Sequence, residues 1–465
     1  MLEPWVRSNL AHWMPLYDRV PPAGRHLLAS VRGLLLARLR YSGETLAILG
    51  KLRKTESRSS EEIINAQIDL LQATLDHARA TVPFYTDYPV IRLRSLDDMR
   101  QLPVLDRETV RRNQDHLLSN AADPRSYIRA GTTGTTGANL RVAYDENLLR
   151  TNWGFLLRQW AWAGVEPRHP RITLFGARVV PSSRRKPPYW AFNWPDRQVL
   201  MSIFHLSEKT APDYLEFLGR QQGKILEGFP SVLGILADFV LHSGRSIPMR
   251  VVFTSGEPLF PAIRSKIEHA FQSRVFDSYG MTEYCGLIQQ CERGNMHLIP
   301  EYGFLEILND RNEPVCAGEE GYLVWTGFLN RGMPLIRYRI GDRGVWQKGA
   351  PCLCGRSFPL VVPTITRESD ILRCPDGRLF SPRALNQLLK ESTSLRSCQF
   401  VHDRRDRVVV RAVPNNGHSE DDLMRIRASL QKLLGNEMQV TAEIALLPIA
   451  RPGGKIPLIV NQVTQ

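Results

Sequence analysis

Met249-Arg250-Val251-Val252-Phe253-Thr254 runs into Ser255-Gly256-Glu257-Pro258, and one helix-length later Arg274 to Asp277 runs into Ser278-Tyr279-Gly280-Met281-Thr282-Glu283. Both apolar runs have the length and residue types of short strands, and Pro261 to Phe271 between them has the length of a helix. Strands that alternate with helices of this kind form a mostly parallel sheet. Two glycine-containing loops then fall beyond the carboxyl ends of adjacent strands, where open α/β sheets bind ligands. The second loop offers a ring and hydroxyl at Tyr279, a tight turn at Gly280, a hydroxyl at Thr282 and a carboxylate at Glu283. That set suits a nucleotide with its metal ion.

The same alternation extends upstream: Arg171 to Phe175 reads as strand, Pro212 to Gln221 as helix, Lys224 to Leu226 as strand and Pro230 to His242 as helix. The expected fold class is therefore α/β, with doubly wound, mostly parallel sheets. Further upstream, Arg129 to Leu140 carries Thr132-Thr133-Gly134-Thr135-Thr136-Gly137, too rich in glycine and threonine for a regular strand or helix. Glycines let backbone amides approach an anion and threonine hydroxyls add donors, so this loop reads as a phosphate cradle. It is not the mononucleotide P-loop, since no Gly-Lys-Ser/Thr follows. Ser59-Ser60-Glu61-Glu62 is a capping-box sequence, and Ile64, Ile68, Leu71, Leu75 and Ala78 lay out one apolar face as far as Ala80. Asp106 and Glu108 open a shorter helix toward Leu118; neither helix shows any chemistry.

Downstream of Gly303 the texture changes to short β runs, Phe304 to Leu308 and Tyr322 to Thr326, which predict a β subdomain. It ends in Tyr338-Arg339-Ile340-Gly341-Asp342, where Asp342, beyond the strand, is placed to accept hydrogen bonds from ribose hydroxyls. From about Ser369 a small α+β unit follows: a hairpin over Gln399 to Val413, a helix over Asp421 to Leu434 and a strand over Met438 to Leu447. The expected domains are thus 1–368 and 369–465.

The chain has 465 residues with 43% apolar composition, enough for more than one core. No apolar run approaches the ~18 residues of a membrane span, no cleaved leader is expected, and seven cysteines do not suggest a disulfide framework. A cytoplasmic location is the expectation. The formal charge is +13, and residues 1–55 contribute nine Lys or Arg against three Asp or Glu. Their spacing among Leu, Trp and Val is that of a basic amphipathic helical arm packing on the body; contact with an anionic membrane surface is the minor reading and nucleic acid the least favoured. Cys291, His297, Cys352 and Cys354 could supply the four ligands of a closed zinc site, with buried free thiols the alternative, Cys285 a rival ligand and Cys316, Cys374 and Cys398 expected to be unligated.

Together these residues resemble adenylate-forming enzymes, specifically the phenylacetate-CoA ligase family and its capsular-polysaccharide-biosynthesis relatives. Thr132 to Gly137 is similar to the family's phosphate loop, Ser278 to Glu283 to its Tyr-Gly-Met-Thr-Glu motif, Tyr338 to Asp342 to its Tyr-Arg-Thr-Gly-Asp motif, Arg367 to its domain-junction arginine and Lys455 in Pro452-Gly453-Gly454-Lys455 to its C-terminal lysine. The departures are Ala138-Asn139 for the usual Lys-Pro, Ile340 for Thr, and Ser369-Asp370 at the hinge.

The resemblance implies an ATP-dependent ligase that joins a carboxylic acid to AMP and transfers the acyl group to coenzyme A; an amine, a sugar hydroxyl or a carrier protein is the alternative acceptor. A nucleotide-binding scaffold without turnover is the second alternative. Glu283 would hold Mg²⁺, Lys455 would bridge the carboxylate and the α-phosphate, and Ser255, Gly256, Glu257 and Pro258 would border the adenine with Tyr279 on its face. Asp342 and Arg367 would fix the ribose. Gly377 and Arg378 would lie on the loop that the lid domain turns toward coenzyme A, and some family members hold structural zinc with this cysteine layout. The acid pocket would draw on Trp190, Phe204, His205, Phe229 and Pro230, which points to an aromatic or apolar acyl group.

Overall fold

The computed structural model describes residues 17, 19–123, 126–131, 140–177, 179–181, 183–257, 259, 261–349, 351–364, 372–376, 378–380, 385, 387–389, 394–414, 420–446, 449 and 458–463. Its centre is an eight-stranded sheet in the order Met296–Leu298, Leu287–Gln290, Val275–Gly280, Val251–Ser255, Ile225–Gly228, Arg171–Leu174, Gln198–Met201 and Trp190–Asn193. The five strands from Val275–Gly280 to Gln198–Met201 run parallel, while antiparallel strands finish both edges. Buried strands of this type read as continuous apolar runs because helices cover both faces. Helices Ala211–Gly219, Pro230–His242 and Pro261–Phe271 supply part of that cover, with Leu218, Leu233, Leu236, Val240, Ile267 and Phe271 in one core with Ile172, Leu226 and Val252.

The crossover helices and the adjacency of Val251–Ser255 and Val275–Gly280 are as the sequence leads one to expect, but the second of these strands runs further than expected. Val275–Gly280 includes Ser278, Tyr279 and Gly280, because the antiparallel partner Leu287–Gln290 pairs with all three and holds them extended. Only Met281, Thr282 and Glu283 form the turn.

A second sheet of five strands joins Gly303–Leu308, Glu320–Gly327 and Tyr338–Trp346 antiparallel; Leu105–Asp106 adds in parallel to Tyr338–Arg339, and Val361–Thr364 pairs with Arg343–Trp346. Asp342 therefore lies within a strand and not beyond one.

Helix Ser60–Thr81 starts on the expected capping box, with Glu62 N–H donating to Ser59 Oγ and Ser59 N–H to Glu62 Oε2. Its buried line is Ile63, Gln67, Leu71, Leu75 and Ala78, whereas Ile64 is exposed. The helix is rotated from the expected face because Gln67 Nε2 donates to the buried Pro300 carbonyl, a partner that an apolar count does not register. The helix after Asp106 is short, Arg107–Arg112, and Asp106 caps it by accepting from Thr109 N–H.

Near the C-terminus, Leu395–Arg404 and Arg407–Pro414 form a hairpin flanked in parallel by Ile459–Asn461 and Gln439–Ile444. Helix Glu420–Leu434 buries Leu423, Ile426, Leu430 and Leu434 in a core with Phe400, Val408 and Val410. This core is distinct from that of the large sheet, and Phe204 packs against both. No helix among the described residues is long and apolar enough to cross a membrane.

Candidate active site and metal centre

Parallel pairing aligns Thr254 with Asp277 and Ser255 with Ser278, so the two glycine-containing loops emerge side by side. Thr254 Oγ1 donates to Asp277 Oδ1 at 2.6 Å. Burial pushes the Asp277 carboxyl up to about 6. Gly256 follows with φ of +81°, a left-handed backbone that glycine adopts without a Cβ clash.

Glu283 is 3% exposed, and its Oε1 accepts from Arg107 NH1 and from the Tyr338 hydroxyl, both at 3.3 Å. Burial raises its proton affinity and Arg107 opposes that rise. The Tyr279 hydroxyl donates to Asp342 Oδ2 at 2.8 Å, and its ring lies nearly parallel to Trp325 with centroids 6.4 Å apart. Burial, reinforced by the Asp342 carboxylate, pushes the Tyr279 phenol well up, so it remains a donor.

The structure thus gathers Tyr279, Glu283, Tyr338 and Asp342 from two sheets and brings them to the carboxyl edge of the parallel strands. Arg107 belongs to this cluster, although the sequence marked its helix as without chemistry. It is placed there because Leu105–Asp106 pairs with Tyr338–Arg339, and because the buried Arg337, ion-paired with Glu306, also donates to the Leu102 carbonyl. The available signal was a basic residue directly behind a two-residue strand, but its partner lies 176 positions away.

Hairpin Ile128–Gly131 and Arg141–Tyr144 holds the two stems of the Gly-Thr loop, and Tyr144 meets Tyr284, the residue after Glu283, edge-on at 5.1 Å. The loop itself, Thr132, Thr133, Gly134, Thr135, Thr136 and Gly137, lies outside the described residues, as do Pro258, Arg367, Gly377 and Lys455. Arg378 is described: it pairs with Asp376 and donates to the Leu433 and Leu434 carbonyls, so it closes the C-terminal end of helix Glu420–Leu434.

Among the expected acid-pocket residues, Trp190 stacks on Phe217 at 4.0 Å and Phe229, 2% exposed, sits edge-on to Phe175. His205 is buried between the Ser202 hydroxyl and the Pro181 carbonyl, and Pro230 is the first residue of its helix. Phe204 alone of the five bridges toward the C-terminal core.

The metal-ligating atoms of Cys291, His297, Cys352 and Cys354 all lie within 4.8 Å of one another. Cys291 Sγ and Cys352 Sγ are 3.7 Å apart, and Cys354 Sγ is 3.4 Å from His297 Nε2. A tetrahedron with ~2.3 Å Zn–S and ~2.0 Å Zn–N bonds has edges of about 3.8 Å and 3.5 Å, so the spacing fits zinc. His297 Nδ1 sits 2.9 Å from the Phe358 carbonyl, which can only accept, so the proton is on Nδ1 and Nε2 keeps a lone pair for a metal. Arg293 N–H and Asn295 Nδ2 donate to the Cys291 and Cys352 sulfurs, the support that thiolates require. Cys285 is elsewhere, with its Sγ 3.1 Å from Met281 Sδ, and does not join the four.

The cluster fastens the outer strand of the eight-stranded sheet to the segment between Trp346 and Val361, where Leu298 N–H also donates to the Pro359 carbonyl.

No family model matches the chain. Protein CapK of Staphylococcus aureus is 22% identical over 463 residues, covering 96% of this chain and 99% of CapK. The phenylacetate-coenzyme A ligase of Thermus thermophilus is 23% identical over 334 residues, covering 68% of this chain and 73% of the ligase. Among solved structures, 2-hydroxyisobutyryl-CoA ligase bound to 2-HIB-AMP and CoA superposes with a TM-score of 0.57 at 19% identity, over 88% of this chain and 91% of that one. That likeness extends to a large N-terminal and a small C-terminal part of mixed α/β structure. With the fold and its strand-end cluster in place, the chain is similar in sequence to CapK and to phenylacetate-coenzyme A ligases, and shares the fold of an acid-CoA ligase.

Proposed function

We propose that this protein activates a small carboxylic acid with ATP and passes the acyl group to coenzyme A. The observation that supports this most is the buried Glu283, tied to Arg107 and Tyr338 beside the Tyr279–Asp342 pair at the ends of the parallel strands. A carboxylate does not acylate a thiol because its oxygen is a poor leaving group. In the first step the acid's oxygen attacks the α-phosphorus of ATP, the α–β bridge breaks and pyrophosphate leaves; in the second the coenzyme A sulfur attacks the acyl carbon and AMP leaves.

The residues serve mostly to position the reactants and stabilise charge. Mg²⁺ supplies charge neutralisation on the phosphate oxygens when bound, and Glu283 with Thr282 beside it would hold it. Arg107 opposes the upward push that burial gives the Glu283 carboxyl. Asp342, already fixed by Tyr279, has lone pairs left for ribose hydroxyls, and Gly256, Glu257 and Ser278 flank the base. Thr132 to Gly137 bind the outer phosphates, Arg367 supports the ribose and Lys455 meets the charge that develops between acid and α-phosphate. Residues 369–465 act as a lid that carries Lys455 in, then turns the Gly377 loop to the thioester step.

Zinc held by Cys291, His297, Cys352 and Cys354 has a structural role: all four positions are taken by protein ligands, which leaves none for substrate. ATP and coenzyme A as substrates accord with a cytoplasmic location.

The test is pyrophosphate release across a panel of aromatic and aliphatic acids, each with and without coenzyme A. Release with at least one acid and a thioester product is expected. Release indifferent to coenzyme A would direct the search to an amine, a sugar hydroxyl or a carrier protein, and no release with any acid would leave a nucleotide-binding scaffold.

A further inference from the structure

Helix Pro22–Arg40 lies against the edge strand Trp190–Asn193, and its orientation about its own axis is fixed by polar contacts. Ser30 Oγ donates to the Phe192 carbonyl and accepts from Trp194 N–H, each at 3.2 Å, while Phe192 N–H donates to His26 Nδ1. Gly33 meets Asn193 so closely that a Cβ there would collide with it, and Arg40 is ion-paired to the buried Asp196 at the helix end. Ser30, Gly33 and Ala37 therefore face inward.

The flank about 100° round from this inward line follows from the helical period. Leu27, Val31 and Leu34 fall on one line at steps of four and three, with Leu28 beside them, and are 60%, 55%, 44% and 46% exposed. Trp194, also 60% exposed, stands next to the helix with its ring 6.1 Å from that of His26. Scattered exposed apolar residues need no explanation, but a line of three on one docked helix with a tryptophan alongside is an apolar patch. The inward contacts prevent the helix from rolling to bury it.

The charge around this line selects the occupant. The helix contains no acidic residue; Arg25 is buried and Arg40 is ion-paired with Asp196, while Arg32 and Arg38 are exposed at the border of the apolar line. A second copy docking the same face would set these arginines against their own equivalents, which opposes self-association. A negatively charged surface with an apolar layer beneath it complements both features.

We infer that this face of helix Pro22–Arg40, with Trp194, docks on an anionic lipid bilayer. The helix lies in the interfacial plane: its apolar line enters the acyl boundary while Arg38 reaches the headgroups, and the tryptophan sits at headgroup level. The attachment is peripheral and places the ligase body at the membrane surface.

The test uses the full chain in sedimentation with vesicles of phosphatidylcholine alone or with about one third phosphatidylglycerol. Binding to the anionic vesicles is expected, with at least a tenfold loss on neutral vesicles and a matching loss at about 0.5 M salt, where charge is screened within a few ångströms. The double variant Leu27→Asp/Val31→Asp should bind about a hundredfold more weakly, roughly tenfold for each apolar side chain withheld from the bilayer. Its circular dichroism and its acid-dependent pyrophosphate release without lipid should equal those of the parent. Absence of binding to anionic vesicles, as would follow if residues 1–16 covered the line, would overturn the inference. Equal binding by the double variant would do the same, as would light scattering that finds a dimer which the double variant dissolves. None of the lipid measurements depends on which acid or acceptor the enzyme uses.

Discussion

Replacing Arg107 with methionine keeps most of the side-chain volume and removes the cation that lies 3.3 Å from Glu283 Oε1. A unit charge pair at this distance interacts by on the order of 5 kcal/mol at an effective dielectric constant near 20. The Arg107 side chain is 23% exposed, and solvent screening reduces that to about 2–3 kcal/mol. Losing that attraction removes the opposition to burial and raises the proton affinity of Glu283 further. Burial already holds this carboxyl above its ordinary range, so the shift carries it toward neutrality. In the proposed role the carboxylate is the form that would hold Mg²⁺, so activity should rise as pH passes the Glu283 pKa. Removing the cation should move that acid limb to higher pH. The assay is pyrophosphate release at saturating acid and ATP across the pH range, with Arg107→Lys as the control that restores the limb. A uniformly lower rate with the limb in its original place would refute the reasoning and leave Arg107 as a contact to substrate alone.

Metal analysis should find about one zinc per chain, as a closed four-ligand site requires, and Cys352→Ser should lose the metal and lower Tm by several degrees; a metal-free protein of equal stability would contradict the site. Asp277, raised to about 6 when folded, contributes stability that is complete below its unfolded value near 3.8 and is lost as pH rises through about 6. Asp277→Asn, whose amide oxygen still accepts from Thr254, should therefore flatten the fall in Tm between those values, a change on the order of 2–3 kcal/mol; an unchanged profile would mean that Asp277 does not titrate there. Lys455→Ala should depress adenylate formation by on the order of 10²- to 10³-fold yet still convert supplied acyl-adenylate and coenzyme A to thioester. Equal loss in both assays would argue against a lid with two orientations.

What could be read from the sequence was whatever depends on local period and composition. The parallel order of Val251–Ser255 and Val275–Gly280 follows from apolar runs separated by one helix, and the cysteine–histidine cluster from residue types that have few other uses together. What could not be read depends on partners distant in sequence. Ser278 to Gly280 look like loop residues and are strand because Leu287–Gln290 pairs with them. Asp342 is likewise held in a strand by Glu320–Gly327 and Val361–Thr364 on either side of its chain. Ile64 lost its inward place to Ile63 and Gln67 because one buried carbonyl at Pro300 needed a donor. Arg107 carries no local mark at all: its role rests on a two-residue parallel pairing that delivers it beside Tyr338. Phe229 and Trp190 show the converse, since aromatic residues near a ligand-binding edge and aromatic residues in the core have the same composition.

Whether the strand-end cluster makes an acyl-adenylate is tested by exchange of labelled pyrophosphate into ATP without coenzyme A. This reads the first half-reaction alone, in both directions, and needs no knowledge of the acceptor. Exchange should appear only when a suitable acid from the panel is present and should be abolished by Glu283→Ala in a protein that keeps its fold. Exchange that persists in Glu283→Ala, or that runs at the same rate with no acid, would contradict the account.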